Sequence, residues 1–336
     1  MKNHVLAIDA MGGDNAPFEI VKGAVETINS LPVTVLLVGK EELLTKELEA
    51  YTYDHSKIEI VNATEVVEST ETPTVAIKQK RDSSMMVGLN LLKEGRAGAF
   101  ISAGNTGALL TGATMKVGLI KGVKRPALAT LLPGRDSIRL LIDCGSNVDS
   151  KPEYMVQFAH MGSLYMEYVE GVANPAVALA NIGVESEKGN IAVKETYELL
   201  SKEVTLNFAG NMEARDIFTE AVDVVVSDGF TGNIMLKSVE GTAVYLLETM
   251  ASEILAAAAA SGADASFAKK ALLSVKQKFD HSEMGGGAPF LGLKSLVLKV
   301  HGAATSKNIS AAALQAYKFI EGDLVQKIEE QILAKE

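Results

Sequence analysis

The fold of this chain is decided by residues 222–237, which read VDVVVSDGFTGNIMLK. The valines at 224–226 form a β-branched run that is too apolar for a half-exposed strand, and such runs are typical of strands buried on both faces. Farther on, Ile234, Leu236 and Val239 are spaced as in a helix. The stretch therefore predicts a buried strand, a short loop and a helix.

The loop between this strand and this helix has the composition of an anion site. Its residues are small and polar: Asp228, Gly229, Thr231, Gly232 and Asn233. Backbone N–H groups at the start of a helix have no partner within the helix, so they attract negative charge. We therefore expect a phosphate group or an oxyanion to bind in this loop.

The same order of apolar strand, polar loop and helix recurs along the chain. The polar residues of the other loops are Asp9, Gly12, Gly13, Asp14, Asn105, Thr106, Asp143, Asn147, Asn181, Glu185 and Lys188. Strands that alternate with helices pair in parallel through right-handed crossovers, and ligands bind outside the carboxyl ends of such strands. The pattern predicts an α/β fold with a mostly parallel central sheet and one cleft that gathers these loops.

Length and charge limit the possible architectures and partners. The chain has 336 residues, of which 47% are hydrophobic and 22% charged, as in a folded protein. At roughly 150 residues per domain the length fits two domains or one two-lobed domain, and we favour a single two-lobed domain over residues 1–336. The net charge of −10 argues against nucleic acid as a partner, because neutralising its phosphates requires a concentrated basic face.

The single cysteine and the lack of a long apolar run indicate a cytoplasmic protein. Cys144 has no second cysteine to pair with, so no disulfide framework is expected. The first apolar run ends at Asp9, and nowhere do ~18 apolar residues follow one another. We therefore expect neither a signal peptide nor a membrane-spanning helix.

Cys144 fits two interpretations. It would be a nucleophile if a base activated it, but no histidine stands near it in the sequence. A lone cysteine at the end of an apolar strand is more often a small packed side chain. We favour the packed interpretation.

Two basic segments are candidates for binding anions. Thr72 and Pro73 suit the start of a helix in which Lys78 and Arg81 would share a face. Lys188 lies in a loop rich in glycine and asparagine, where it would suit a phosphate or a carbonyl oxygen. The alternative for both segments is an ordinary charged surface.

A helical hairpin is predicted at about residues 234–280. Its tip is apolar, with Leu255 and Phe267 as the candidate membrane contacts, and its second arm is rich in lysine. Apolar insertion and basic attraction together favour an anionic membrane surface. The alternative is a hairpin that forms a dimer or packs within the domain.

Ordered motifs over most of the chain resemble those of bacterial phosphate acyltransferases, the PlsX family. The matching segments are residues 7–14 (AIDAMGGD), 72–86 from Thr72-Pro73 to Met86, 102–107 (SAGNTG), 141–147 (LIDCGSN), 181–190 (NIGVESEKGN) and 228–233 (DGFTGN). One departure is visible, because the family usually has Glu-Tyr-Gly-Gly-Ala where this chain has Met284-Gly285-Gly286-Gly287-Ala288. A role for a tyrosine hydroxyl cannot be carried over to Gly285.

The resemblance implies a three-layer α/β/α fold similar to that of isocitrate and isopropylmalate dehydrogenases. It also implies a homodimer at the inner face of the cell membrane that transfers a fatty acyl group from acyl carrier protein to inorganic phosphate. The acyl phosphate would then serve a membrane glycerol-3-phosphate acyltransferase in phospholipid synthesis. This scheme needs no cofactor and no metal, although Asp9, Asp143 and Asp228 could bind a metal ion.

Roles follow for the candidate residues if the resemblance holds. Phosphate is already a nucleophile at neutral pH, so catalysis reduces to orienting the reactants and stabilising the oxyanion. Lys188 and Asn233 would be the catalytic residues, polarising the thioester carbonyl or gripping phosphate. The remaining loop residues would line the phosphate site, and Lys78 and Arg81 would contact phosphate or the acidic carrier protein.

Two alternatives remain open at this point. A phosphotransacetylase-like enzyme would use acyl-coenzyme A as its acyl donor. A non-catalytic membrane protein that binds anions or lipids would keep the basic hairpin and show no turnover. A hydride-transferring relative is disfavoured, because the loops contain no dinucleotide fingerprint.

Overall fold

The structure is a computed structural model that describes residues 2–134, 137–218, 222–262, 264–278 and 286–334. Its strands form one eleven-stranded sheet in the order β3-β2-β1-β4-β11-β10-β5-β6-β9-β7-β8. The strands are β1 (Val5–Asp9), β2 (Thr34–Gly39), β3 (Ile58–Asn62), β4 (Ala99–Ser102), β5 (Ala127–Pro133), β6 (Ile138–Ile142), β7 (Ala176–Asn181), β8 (Asn207–Glu213), β9 (Val224–Val226), β10 (Ala288–Leu291) and β11 (Leu296–Lys299).

Helices connect the strands and cover both faces of the sheet. They are α1 (Phe18–Ser30), α2 (Glu41–Leu48), α3 (Pro73–Gln79), α4 (Ser84–Lys93), α5 (Thr106–Lys116), α6 (Pro152–Tyr168), α7 (Ile191–Leu200), α8 (Gly229–Ser261), α9 (Ser266–Lys278), α10 (Ser306–Glu321) and α11 (Leu324–Leu333). Buried residues pack into one large cluster and two smaller ones around the strands. The predicted α/β fold with a mostly parallel sheet is confirmed.

The direction of the strands reverses near the middle of the sheet. Strands β1, β2, β3, β4 and β11 are parallel to one another, and so are β6, β7, β8 and β9. Three antiparallel pairs, β11 with β10, β10 with β5 and β5 with β6, separate the two sets. The two sets therefore run in opposite directions, and the pairings of Ala288 with Lys299, Phe290 with Leu128 and Ala129 with Ile142 bring the carboxyl ends of β11 and β6 to nearly the same level of the sheet.

Three helix boundaries differ from the sequence-based expectation. Helix α8 already begins at Gly229, so the polar residues 229–233 form its first turns and are not a loop. The helix expected from Thr72 through Ser84 is two helices, α3 and α4, and Arg81 lies in the turn between them. The sequence also predicts a single last helix from Ser310 to Leu333, but the structure has two helices there, because α10 ends at Glu321 and α11 starts at Leu324.

Helix α8 projects from the domain and carries many exposed apolar side chains. Its buried residues, Gly229, Gly232, Met235 and Leu236, all lie at its start. By length and composition alone, α8 is the one helix among the described residues that could cross a membrane. The sequence expectation rested on a stricter criterion, about 18 consecutive apolar residues, which α8 does not meet because Lys237, Glu240, Glu248 and Glu253 interrupt it.

Candidate active site

The first group of predicted residues surrounds a cleft at the carboxyl ends of β1, β4 and β11, which we call the Lys299 cleft. Its volume is about 380 Å³, within the range of small-molecule sites, roughly 300–1,000 Å³. The lining residues are Met11, Gly13, Asp14, Val66, Val67, Glu68, Ser69, Ala103, Gly104, Asn105, Thr106, Gly107, Lys299 and Gly302.

Asp9 ends strand β1 beneath this cleft and is 1% exposed. Its carboxylate accepts hydrogen bonds from Ser102 Oγ at 2.6 Å and from the backbone N–H of Met11 at 3.2 Å. Burial raises the pKa of Asp9, and these hydrogen bonds act in the opposite direction. Asp9 therefore organises the loop from within and does not face the solvent.

Glycines allow the loops after β1 and β4 to touch. A Cβ at Gly12 would lie 2.6 Å from Asp9 Oδ2 and 2.8 Å from the nitrogen of Gly104. Gly13 has a φ of +101°, and a Cβ there would meet Ala103 Cβ and Gly302 O, both at 2.9 Å. The Gly12-Gly13 wall of the cleft therefore has no room for side chains. Asp14 follows it and is exposed.

Asn105 holds the opposite wall of the cleft. Its Oδ1 accepts from the N–H of Ala108 and so caps α5, while its Nδ2 donates to the carbonyl oxygens of Ser69 and Glu71. Its predicted role as a direct phosphate ligand is not visible in these contacts. Among the described residues, no acceptor is found for the backbone N–H of Thr106 or of Gly107, the first two residues of α5.

Lys299 is the cleft residue that the sequence analysis missed. It ends β11, and its Nζ donates to Ala103 O at 3.2 Å and also to Val300 O. The pKa of Lys299 is lowered to about 8, chiefly by burial; Asp9 and Asp14 act against this lowering, and the ammonium of Lys237 contributes to it. The only signal in the sequence was a lysine at the end of an otherwise apolar strand, Leu296–Lys299.

The second group lies at the carboxyl ends of β6 and β9, and we call Asp143, Asn147, Asp228, Thr231 and Asn233 the Asp143 cluster. Asp143 is 0% exposed. Its carboxylate accepts from the N–H groups of Leu128, Gly145, Ser146 and Asn147 and from Asn147 Nδ2. Burial raises the pKa of Asp143, and the donors from Ser146 and Asn147 oppose that shift.

The start of α8 packs directly on this loop. Asp228 caps the helix by accepting from Thr231 N at 2.9 Å and Thr231 Oγ1 at 2.7 Å. Gly229 N donates to Asn147 O, and a Cβ at Gly232 would lie 2.0 Å from Asp143 O. Asn233 is exposed on the next turn, and its side chain lies beside Gly145.

The third group is the loop after β7, the strand beside β9. Asn181 Nδ2 donates to the carbonyl oxygen of Lys188, and Asn211 Nδ2 donates to that of Glu185. The side chains of Glu185 and Lys188 flank Gly183. The loop backbone is therefore fixed, while the side chain of Lys188 is exposed.

The structure brings the second and third groups side by side, and helix α8 links them to the Lys299 cleft. Strands β6, β9 and β7 are adjacent, so the loops after them are neighbours. The connection to the cleft is α8, where Asn233 and Lys237 are four residues apart and share a face. Lys237 is near enough to act on the pKa of Lys299. No cluster of three or more metal-binding side chains is found in the described ranges.

Comparison with known proteins identifies the family. A family model described as "Fatty acid synthesis protein" matches residues 4–327. A phosphate acyltransferase from Clostridium acetobutylicum is 46% identical over 329 residues, covering 98% of each chain. The chain belongs to the phosphate acyltransferase family.

Solved structures support the same fold as these family matches. A phosphotransacetylase from Streptococcus pyogenes covers 95% of this chain and 94% of its own at a TM-score of 0.63 and 16% identity. A 4-hydroxythreonine-4-phosphate dehydrogenase from Klebsiella pneumoniae covers 95% and 98% at a TM-score of 0.51 and 14% identity. These neighbours confirm the dehydrogenase-like α/β fold that the family resemblance implied.

The remaining predictions for a phosphate acyltransferase have mixed outcomes. Lys78 and Arg81 are both exposed, but Arg81 is not helical, so the shared helical face was wrong. Leu255 and Phe267 are exposed, as a membrane contact requires. Gly285 lies outside the described residues.

Cys144 has no access to an acyl donor. The residue is 2% exposed, and its thiol donates to the carbonyl oxygen of Leu141. Burial raises the pKa of the thiol well above its ordinary value, with Asp143 acting in the same direction. The packed interpretation is confirmed.

Proposed function

We propose that this member of the phosphate acyltransferase family transfers a fatty acyl group from acyl carrier protein to inorganic phosphate. The observation that carries the proposal is the combination of two sites in one chain, a polar cleft with a partly buried lysine and an exposed amide and lysine at Asn233 and Lys188. One site suits a small anion, and the other suits a larger acyl donor.

The reaction needs no covalent acyl-enzyme. A phosphate oxygen attacks the thioester carbonyl, a carbon–oxygen bond forms, and the carbon–sulfur bond breaks as the pantetheine sulfur leaves as a thiolate that takes a proton. The product is an acyl phosphate, and the step is reversible. The buried Cys144 supports direct attack, because the one thiol of the chain cannot reach the substrate.

The oxyanion that forms in this step requires donors from the protein. We assign this role to Lys188 and Asn233, which are exposed on adjacent loops and whose backbones are fixed by the hydrogen bonds of Asn181 and of the Asp143 cluster. Preorganised donors of this kind stabilise a developing negative charge because they need no rearrangement during the reaction.

The acidic carrier protein suits the outer wall of the Lys299 cleft. Helix α3 packs against the start of α5, where a Cβ at Gly107 would lie 2.7 Å from Pro73 Cγ. Lys78 on α3 and Arg81 just after it are exposed, and we assign them to the contact with the carrier protein. Exposed basic side chains favour an acidic protein partner.

The hairpin of α8 and α9 supports two further parts of the proposal. The middle of α8 exposes Val244, Tyr245, Leu246 and Met250, with Tyr245 68% exposed, and we assign this face to a second copy of the chain. Leu255 and Phe267, nearer the tip, would contact the inner face of the membrane. Because α8 starts inside the domain, a peripheral position fits better than a full crossing.

A peripheral membrane position would suit the chemistry of the product. Acyl phosphates are reactive, so a consumer close by limits their loss to water. We propose that a membrane glycerol-3-phosphate acyltransferase consumes the product in phospholipid synthesis.

The deciding experiment supplies purified protein with phosphate and either acyl carrier protein thioester or acyl-coenzyme A. Acyl phosphate is trapped with hydroxylamine and measured as the hydroxamate. We expect faster turnover with the carrier protein thioester, and replacing both Lys78 and Arg81 by glutamate should raise the KM for that donor alone. Turnover with acyl-coenzyme A only would contradict the donor assignment.

That contrary result would support the second candidate, a phosphotransacetylase-like enzyme. The observation in its favour is the structural similarity to the phosphotransacetylase from Streptococcus pyogenes. No turnover with either donor, together with binding to anionic vesicles, would instead support the non-catalytic membrane protein.

The assignment of the hairpin is tested separately. Replacing Leu255 and Phe267 by glutamate should release the protein from vesicles containing phosphatidylglycerol while the sedimentation coefficient in solution stays that of a dimer. Replacing Val244 and Leu246 by glutamate should instead lower the sedimentation coefficient to that of a monomer. Unchanged vesicle binding in the first variant would exclude the tip as the contact.

A further inference from the structure

Lys299 holds an ammonium group whose hydrogen bonds are incomplete. An ammonium has three N–H donors, and two of them are accounted for by Ala103 O and Val300 O. Within the described ranges, no acceptor is found for the third. Because Lys299 lines the cleft, the remaining donor is available to a ligand there.

The charge of Lys299 also lacks a partner in the described part of the chain. No carboxylate there lies within 4.0 Å of its Nζ, the limit for an ion pair. Asp9 is close enough to raise the pKa of Lys299, but its carboxylate oxygens already accept hydrogen bonds from Ser102 Oγ and Met11 N. Lys299 is partly buried in the wall of the cleft, and a charge partly withdrawn from water favours a partner of opposite charge, so we expect an anion from outside the chain.

The cleft around Lys299 offers further donors for an oxyanion. The backbone N–H groups of Thr106 and Gly107 start α5 on the same cleft, where the helix dipole favours negative charge. The Gly12-Gly13 and Gly104 backbones leave room for a ligand because they carry no side chains. A small tetrahedral oxyanion matches donors from several directions better than a planar group does.

We propose that Lys299 is the residue that binds the inorganic phosphate nucleophile, holding it in the cleft by a charge-assisted hydrogen bond. This inference rests on the proposed function, since it assigns one substrate of that reaction to one side chain. The lysines expected from the sequence, Lys78 and Lys188, are exposed, so water screens their charge. Lys299 acts at a lower effective dielectric constant, where the same charge attracts phosphate more strongly.

The proposal assigns one substrate to each of the two sites. Phosphate would bind near Lys299, and the thioester would bind with its carbonyl towards Asn233 and Lys188. Asn233 and Lys237 lie one turn apart on helix α8, and the charge of Lys237 acts on the pKa of Lys299. Both reactants therefore have a place along one helix.

The first test compares Lys299→Met with Lys294→Met. Methionine keeps the length of the side chain without its charge, and Lys294 is an exposed lysine just before the opposite end of β11. We expect the KM for phosphate to rise about 10- to 100-fold in Lys299→Met, the range for one hydrogen bond to a charged group. The KM for the acyl donor should stay within about twofold, and Lys294→Met should match the unaltered protein.

The second test uses pH and needs no loss of the side chain. Since the pKa of Lys299 is about 8 without phosphate, the ammonium is lost above that pH, so phosphate binding should weaken there. Phosphate stays dianionic in this range, so its own titration does not cause the loss. In Lys299→Arg the guanidinium remains charged, and the weakening above pH 8 should disappear.

Two outcomes separate this inference from the proposed function. A phosphate KM within twofold of the unaltered protein in a folded Lys299→Met variant would overturn the role of Lys299 while leaving the enzyme assignment intact. If the unaltered protein makes no acyl phosphate, the proposed function fails, and calorimetric titration with inorganic phosphate then decides the ligand role alone. Equal phosphate affinity with and without Lys299 would overturn it.

Discussion

The Lys299 cleft and the Asp143 cluster are built on the same plan but differ in what they leave unsatisfied. Each centres on a buried aspartate at the carboxyl end of a strand, and burial raises the pKa of both. Asp143 accepts from five donors of the chain, whereas Lys299, the charged residue of the cleft, has a spare donor.

This difference indicates that the Asp143 cluster holds its loop in place, whereas the Lys299 cleft is able to bind a ligand. A buried carboxylate whose donors all come from its own chain fixes a loop and has little to offer a substrate. A partly buried ammonium that lacks an acceptor for one of its N–H donors destabilises the protein unless a ligand supplies that acceptor. Polar residue type alone, which is all that the sequence shows, does not distinguish these two situations.

The comparison predicts its largest effect on stability at Asp143. In Asp143→Ala, the partly buried N–H groups of Leu128, Ser146 and Asn147 lose their acceptor, and a donor left unsatisfied inside the protein costs roughly 1–3 kcal/mol. These costs are not fully additive, so we expect the free energy of unfolding to fall by about 3 to 5 kcal/mol. Urea denaturation at pH 7 measures this change.

An exposed aspartate provides the control for this variant. Asp264 is exposed and accepts from Ser266 N and Oγ at the start of α9, so Asp264→Ala should lower the free energy of unfolding by about 1 kcal/mol or less. If Asp143→Ala were as stable as Asp264→Ala, the idea that the five donors hold this loop would be wrong.

The next effect concerns turnover at Asn233 and Lys188. Both side chains are exposed, so replacing them by alanine removes no core packing and should leave the melting temperature nearly unchanged. Loss of one oxyanion donor lowers kcat by about 10²- to 10³-fold. Hydroxamate trapping of acyl phosphate measures kcat, and Lys194→Ala, an exposed lysine on α7, serves as the control. A kcat within threefold of the unaltered protein in both variants would remove these residues from the mechanism.

A smaller loss of stability is expected at Asp9. Asp9→Ala leaves Ser102 Oγ free to rotate to another partner and deprives the N–H of Met11 of its acceptor. We therefore expect a decrease of about 1 to 3 kcal/mol, less than for Asp143→Ala. Urea denaturation of both variants side by side tests the order, and a larger loss at Asp9 would reverse the comparison.

Much of the fold could be predicted from the sequence because its signals are local. The valines of β9 and the polar residues after β1, β4, β6 and β7 mark strand ends wherever they occur. Pairing direction is not local, so the antiparallel strands β10 and β5, which reverse the sheet, left no comparable signal. For that reason the sequence did not show how the loops of the two strand sets face each other.

The sequence analysis identified which polar residues lie at the strand ends, but not what each of their side chains does. Asn105 and Asp143 were correctly placed at strand ends, but only the folded chain shows that their side chains bond to the protein itself. Lys299 was missed because its importance depends on Ala103 and Asp9, which are distant in sequence and adjacent in space. Burial of a charge is a property of the fold and cannot be read from residue type.

The smallest effect is expected at Cys144. Replacing this residue distinguishes direct attack by phosphate from a mechanism with a covalent acyl-enzyme. The thiol is buried and its pKa is raised, so it should resist iodoacetamide at pH 8 in the folded protein and react after unfolding in urea. Cys144→Ala removes one sulfur atom from a small packed position and should keep kcat within about twofold, with a modest loss of stability. Mass spectrometry after alkylation and hydroxamate trapping check both statements. A folded Cys144→Ala variant without turnover would require an acyl-enzyme on this thiol, and the division between a phosphate site at Lys299 and a donor site at Asn233 would then need a third participant.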